Sequence, residues 1–149
     1  MLTAIGMLPG ITRAGFLSGI AAKYPPIGLQ TYTLGFLLNE KDADTKAVLK
    51  MMAGIGIKEL ETATGNTDGL YYGHKPKELA AMINDLGMKW IGNHVGGLPR
   101  ENAGRPQRPG AKRTNLRDNL QQIVDDASEG GCSWLVCASS AESNLDEIK

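Results

Sequence analysis

His94 closes the run Lys89-Trp90-Ile91-Gly92-Asn93-His94, an apolar stretch that ends in polar groups. A neutral imidazole there can hydrogen-bond a substrate hydroxyl, move a proton near neutral pH, or ligate a metal. Substrate contact is the preferred reading; a metal ligand and a ring bonded to nearby backbone are the alternatives. Glu59 and Glu61 stand two apart in Ile57-Lys58-Glu59-Leu60-Glu61, so a strand would put both carboxylates on one face. A buried carboxylate needs a partner. Glu61, nearer the C-terminal end, is the candidate for a substrate or lysine-paired contact, against a structural ion pair. Glu59 is read as structural. Gln30 and Tyr32 share a face of Ile27-Gly28-Leu29-Gln30-Thr31-Tyr32 by the same alternation. They could line a pocket floor, with Tyr32 as a flat wall carrying a hydroxyl, or pack in a core.

Tyr71 and Tyr72 could rim the same pocket or pack their loop onto the body. His74 is read as a loop residue. A long stretch from Gly96 to Thr114 carries Arg100, Arg105, Arg108, Lys112 and Arg113 against Glu101. Arginines there could hold a phosphate in bidentate fashion. The prolines 99, 106 and 109 favour a solvated loop. Without interleaved aromatics, the patch is a poor nucleic-acid surface. Cys132 and Cys137 flank a predicted strand that would hold them roughly 16 Å apart. A disulfide needs Cα atoms within about 7 Å, so both are expected as reduced, buried small residues.

Residues of this kind need elements that bring strand ends together. The first strand is predicted over about Ile27–Thr33, after the breaker Tyr24-Pro25-Pro26. A helix follows near Ala43–Ile55, with Val48, Met51, Met52 and Ile55 at helical spacing and Gly56 as its C-terminal cap. Strand two is Lys58–Ala63. The next helix starts at Pro76, favours Glu78 in its first turn, and stops at Gly87. Leu79, Met82, Ile83 and Leu86 form its stripe. Strand three is Lys89–Val95. A third helix starts near Asn115, with Leu116, Leu120, Ile123, Val124 and Ala127 on one face, and ends at Gly130-Gly131. Strand four is Ser133–Ala138. Ser143 and Asp146 have capping-box spacing for the start of a fourth helix. Trp90 and Trp134 are read as packing residues, and Asp125-Asp126 as a solvated face.

Strands alternating with helices in units of about 30 residues predict an α/β fold with parallel pairing. An open doubly wound sheet and half of a barrel both satisfy that pattern. No G-x-G-x-x-G follows strand one, which reads Thr33-Leu34-Gly35-Phe36-Leu37, so the barrel is preferred. Polar groups at strand C-terminal ends are where such barrels place chemistry.

The chain has 149 residues, room for one domain with a core. Lys plus Arg equal Asp plus Glu at 16 each, which excludes a surface built as a whole for nucleic acid. No run reaches the roughly 20 apolar residues of a membrane span. Residues 1–24 differ from the body at 25–149. Thr12-Arg13-Ala14-Gly15-Phe16-Leu17 has the tone of a twin-arginine leader with Ala14 in place of the second arginine. A degraded export leader and a weakly ordered tail are both open. Location is expected to be periplasmic or exported in the first case and cytoplasmic in the second.

Taken in order, Ile27–Thr33, Gly56–Glu61, Tyr71-Tyr72-Gly73, Asn93-His94-Val95 and Asp125-Asp126-Ala127 follow a familiar pattern. The chain resembles the xylose isomerase-like TIM barrel superfamily, in its sugar phosphate isomerase/epimerase branch, over about Pro26–Asp146. The resemblance implies four strands, three full helices and the start of a fourth, about half of a TIM (β/α)8 barrel. It implies isomerisation or epimerisation of a sugar or polyol, helped by a divalent metal (Mn, Mg, Co or Zn) that polarises the substrate oxygens. In the family the metal ligands come from later strands. This chain alone is therefore expected to bind no metal and to be inactive, with no catalytic residue assigned. His94, Glu61, Tyr32, Gln30 and Tyr72 are the expected substrate contacts, with tyrosine rings stacking on sugar C–H faces. No nucleic-acid or membrane partner is expected. The alternative is a non-catalytic carbohydrate-binding or scaffold half-barrel that forms a homodimer through exposed sheet edges.

Overall fold

The computed structural model describes residues 25–39, 42–63, 65–98 and 112–139. Strands and helices alternate: β1 (Gly28–Gln30), a 3-10 turn (Thr31–Leu34), α1 (Gly35–Leu38), α2 (Thr45–Gly54), β2 (Glu59–Ala63), α3 (Pro76–Asp85), β3 (Lys89–Gly96), α4 (Leu116–Gly130) and β4 (Trp134–Ser139). Local chemistry sets the helix ends. The Asp44 carboxylate accepts from Ala47 N at 2.9 Å and caps α2. Pro76 opens α3, and Glu78 accepts from Lys75 N at 3.2 Å. The Asn115 side chain caps α4 by accepting from Asp118 N at 3.0 Å. Gly56, Gly87 and Gly131 follow the three helices at positive φ, a conformation that glycine adopts without a Cβ penalty.

All strand pairs are parallel, in the order β1-β2-β3-β4. Helices cover one face. Leu49 and Met52 of α2 and Leu79 and Ile83 of α3 form one buried cluster with Leu60 and Trp90 of the sheet. Gly130 of α4 lies against the Trp90 indole. Sequential order with helices on one face is the arrangement of a β/α barrel; a doubly wound sheet reverses order and covers both faces. The expected fold class, parallel β/α units of barrel type, is what the chain forms.

Register assigns the faces. Leu60 pairs with Trp90 and Thr62 with Asn93, toward the helices. Gln30 pairs with Glu61, Glu61 with Gly92 and Ala63 with His94, on the face that no described helix covers. Between Trp90 and Gly92 the register shifts, because Ile91 is an extra residue in β3.

Several expectations change. Strand one stops at Gln30, where the Thr33 hydroxyl donates to the Gln30 carbonyl at 2.9 Å and draws the chain into the 3-10 turn. Tyr32 therefore leaves the strand at 66% exposure and does not share a strand face with Gln30. In α2 the buried stripe is Thr45, Leu49 and Met52, while Met51 and Ile55 face solvent. In α4, Ile123 and Ala127 are buried but Leu120 and Val124 are exposed. Neither cysteine forms a disulfide among the described residues; Cys132 is half-buried, but Cys137 is exposed, on a strand with one paired neighbour among the described residues. Trp90 is core, whereas Trp134 is exposed. The leader at 1–24, the arginines at 100, 105 and 108, and the Ser143 cap lie outside the described residues. No helix among the described residues is long and apolar enough to cross a membrane.

Candidate functional site

β1 and β3 flank β2, and their side chains meet across it. Gln30 Nε2 lies 2.8 Å from His94 Nδ1. Ala63, the β2 residue in register with His94, is small enough to be bridged. An amide nitrogen can only donate, so Nδ1 accepts and the neutral ring carries its proton on Nε2. His94 is thereby held in one tautomer, with an N–H donor on the far side of the ring. Gln30 is the last residue of β1, and His94 lies in the C-terminal half of β3.

Glu61 stands on the same face, half-buried, between Gln30 and Gly92. Gly92 makes its space: a Cβ there would lie 3.4 Å from Glu61 Cγ and 3.6 Å from the Trp134 carbonyl. Among the described residues neither Glu59 nor Glu61 forms an ion pair, and the pair present is Arg117–Asp118 at 3.4 Å. The structural ion pair weighed for Glu61 is thus absent between described residues. Gln30, Glu61 and His94 put an amide, a carboxylate and an imidazole on one face near the strand C-terminal ends. Such a set offers donors and acceptors at close spacing to a molecule rich in hydroxyls.

Tyr72 reaches the rim differently from the stacking role expected of it. Its hydroxyl accepts from Ala63 N at 3.1 Å and lies 2.6 Å from Thr31 Oγ1. The Thr31 hydroxyl spends its one proton on the Glu61 carbonyl at 3.1 Å, so Tyr72 is the donor to Thr31. The chain Ala63 N–H, Tyr72 O–H, Thr31 O–H, Glu61 C=O ties the 3-10 turn to the end of β2. Burial raises the Tyr72 phenol above its usual value, and the bond it accepts from Ala63 N opposes that rise. Thr31 is a residue that sequence reasoning missed; its signal was a threonine at the end of an apolar run. Tyr72 has φ 52°, a strained left-handed position for a non-glycine.

Tyr71, the other rim candidate, is core. It meets Trp90 edge-on at 5.3 Å and accepts from Asn93 Nδ2 at 2.9 Å. Trp90 Nε1 donates to Thr62 Oγ1 and the Gly92 carbonyl, and Thr62 donates to Asn93 Oδ1 at 3.2 Å. This buried network fixes the backbone beneath Gly92 and His94. Burial drives the Tyr71 phenol up, and the nearby Asp126 carboxylate adds to it. His74 closes a tight turn with Tyr71, as a loop residue does. At the other side of the rim, Lys112–Thr114 pairs with the loop after β2: Thr67 N donates to the Lys112 carbonyl at 2.7 Å, and Thr114 N to the Gly65 carbonyl at 3.0 Å. Arg113 is exposed there, near enough to Tyr72 to favour its charged form.

A divalent metal needs several convergent donors. Among the described residues no group of three His, Cys, Asp or Glu side chains could hold one. Gln30, Glu61 and His94 alone do not fit a metal centre, and no step here is routed through one.

Neither a protein-family model nor a curated protein matches the chain by sequence. Its fold is similar to that of a solved sugar phosphate isomerase/epimerase from Parabacteroides distasonis ATCC 8503, with TM-score 0.51 and 24% identity over 75% of this chain and 40% of that one. A second solved sugar phosphate isomerase/epimerase from the same organism gives TM-score 0.48 and 22% identity over 74% and 37% of the two chains. This chain thus spans about 40% of the length of the first of these proteins. The first likeness carries the fold: parallel β/α units of TIM-barrel type.

Proposed function

We propose that the face of the sheet carrying Gln30, Glu61 and His94 binds a sugar or polyol as part of a sugar phosphate isomerase/epimerase-like site. The observation that carries this reading is the Gln30–His94 contact at 2.8 Å, with Glu61 beside it on the same face. The His94 imidazole adds a polar contact to substrate oxygens on this face. The Glu61 carboxylate accepts from a neighbouring hydroxyl, a charge-assisted bond that suits a polyol. Arg113 at the rim is placed for an anionic group such as a phosphate. Tyr32, exposed just past the end of β1, offers the flat wall and hydroxyl expected of it. Tyr72 supports the floor through Thr31 instead of stacking.

Turnover, on this reading, belongs to a barrel that adds a metal centre and a proton-transferring carboxylate to these contacts. The purified chain should bind sugar weakly and should not epimerise ketoses when manganese is added. The test is an NMR titration with ketoses, aldoses and polyols at millimolar concentration. Shifts clustering at Gln30, Glu61 and His94, and lost in His94→Ala, are expected. Shifts scattered over the helices, or none, would end the proposal. A second reading rests on the sheet edges. β1 and β4 each have one paired neighbour among the described residues, and unpaired edges favour association. A non-catalytic scaffold that dimerises through them would show a concentration-dependent mass by light scattering; a monomer at high concentration would remove it.

A further inference from the structure

Trp134 opens β4 and is 69% exposed, although tryptophan is among the more buried residue types. Register fixes the way it faces. Glu61 pairs with Gly92 and Gly92 with Trp134, while Ala63 pairs with His94 and His94 with Val136. Side chains in register across parallel strands project to one side of the sheet, and successive residues alternate. Trp134 and Val136 therefore join Gln30, Glu61 and His94, whereas Leu135 turns with Asn93 to the helix side. The face thus has two halves. The first three strands bring an amide, a carboxylate and an imidazole; β4 brings an indole and an isopropyl group. Gly92 lies between them. In the row Gln30–Glu61–Gly92–Trp134 it is the position without a side chain, so a notch opens between carboxylate and indole. The backbones carrying those two groups stand two strand spacings apart, about 9–10 Å. A Cβ on Gly92 would project into the notch, 3.4 Å from Glu61 Cγ. The floor is held firmly, because the buried Trp90 Nε1 donates to the Gly92 carbonyl at 2.9 Å.

A closed sugar ring has the matching asymmetry. A pyranose with equatorial hydroxyls carries polar groups around its edge and C–H groups on its faces. An open-chain polyol has no such face. We infer that Trp134 is a specificity-determining residue of this site: its indole stacks on the C–H face of a pyranose seated over Gly92, whose edge hydroxyls reach Glu61. The negative face of the indole attracts the slightly positive C–H groups. A purely apolar ligand would match Trp134 and Val136 but would desolvate the Glu61 carboxylate without replacing its hydrogen bonds, which is costly. The inference rests on the sugar-binding reading and narrows it, from sugars and polyols in general to closed rings.

The chain has two tryptophans, so nitrogen-15 spectra of the full chain carry two indole N–H signals, and Trp134→Phe assigns them. Titrated with methyl β-glucopyranoside, the Trp134 signal should move together with the backbone amides of Glu61 and Gly92, and the core Trp90 signal far less. Erythritol, an open-chain polyol with the same number of hydroxyls, should bind about fivefold more weakly. Trp134→Leu should abolish that preference. Trp134→Phe keeps an aromatic face and should restore most of it. The side chain is exposed, so neither variant opens the core. A Trp134 signal that stays fixed while Gln30, Glu61 and His94 respond would overturn the inference and leave the sugar-binding reading standing. Equal affinity for ring and open chain would do the same. No response at any of these residues would overturn both. A Trp134 signal that follows protein concentration and ignores sugar would also overturn the inference, by giving the indole to a second copy.

Discussion

Replacing Tyr72 by phenylalanine removes one oxygen and nothing else. The ring keeps its place and the strained backbone stays as it is. The oxygen serves two buried groups: it accepts from Ala63 N at 3.1 Å and donates to Thr31 Oγ1 at 2.6 Å. Ala63 and Thr31 are 8% and 1% exposed, so water does not readily replace the lost partner. An orphaned buried donor costs about 1–3 kcal/mol. Thr31 loses less, because its own proton remains on the Glu61 carbonyl. The sum is a destabilisation of about 2–3 kcal/mol, a shift in urea midpoint of about 1–2 M at a slope typical of small proteins. Urea unfolding followed by fluorescence measures it. Thr31→Val in the same background should couple with Tyr72→Phe by about 0.5–3 kcal/mol, since both cut one chain. A Tyr72→Phe effect within about 0.5 kcal/mol, the range of an ordinary surface change, would refute the latch.

Gly130→Ala should cost about 1–3 kcal/mol by overpacking, because its Cβ would lie 2.7 Å from Trp90 Cε3 and closer still to Cζ3; an unchanged melting temperature would refute the contact. Long-range nitrogen-15 spectra should find neutral His94 with its proton on Nε2, and Gln30→Leu should mix the tautomers; a proton on Nδ1 in the parent protein would contradict the Gln30 contact. The third prediction concerns Asp126. Burial raises its carboxyl above the ordinary 3.8, with the Gln122 hydrogen bond opposing and Glu129 adding to the rise. The folded state therefore holds that proton more tightly than the unfolded chain. Its stabilising contribution is complete below 3.8 and is lost as pH rises through the elevated value. Asp126→Asn should flatten stability against pH just above 3.8; an identical slope in both proteins would remove Asp126 as the cause.

Much of the frame was legible because it depends on local rules. Pro76, Asn115 and the glycines at 56, 87 and 131 mark helix ends through their own backbone preferences, and the structure puts the ends there. Alternation of strands and helices was enough for parallel pairing. Burial was legible only in part. Met51 and Ile55 keep helical spacing, yet the stripe through Leu49 and Met52 won, because the direction of a helix face is set by its neighbours. Leu120 and Val124 look like core in sequence, since apolar type does not say which contact will cover a side chain. Tyr32 was misplaced because a hydrogen bond from Thr33, three residues beyond Gln30, ended the strand. Gln30, Glu61 and His94 were expected together and do share a face, because strand alternation places them there once the bulge at Ile91 is absorbed. Thr31 was missed because a hydroxyl that completes a chain of bonds has no signature until its partners, from Glu61 to Tyr72, are in place.

Ile91 has an effect out of proportion to its side chain. Counting outward and inward from Trp90 by strict twos would send His94 to the same side as the indole. The one supernumerary residue resets the count, so the imidazole emerges beside Gln30. Loss of that one codon would turn the bulge into an unbroken ladder, with Trp90, Gly92, Asn93 and His94 still opposite Leu60, Glu61, Thr62 and Ala63 and the imidazole still beside Gln30. The chemistry of this face thus depends on the ladder absorbing one residue as a bulge: a strand of the same length paired without it would carry the imidazole into the helix layer while leaving all three polar residues unchanged.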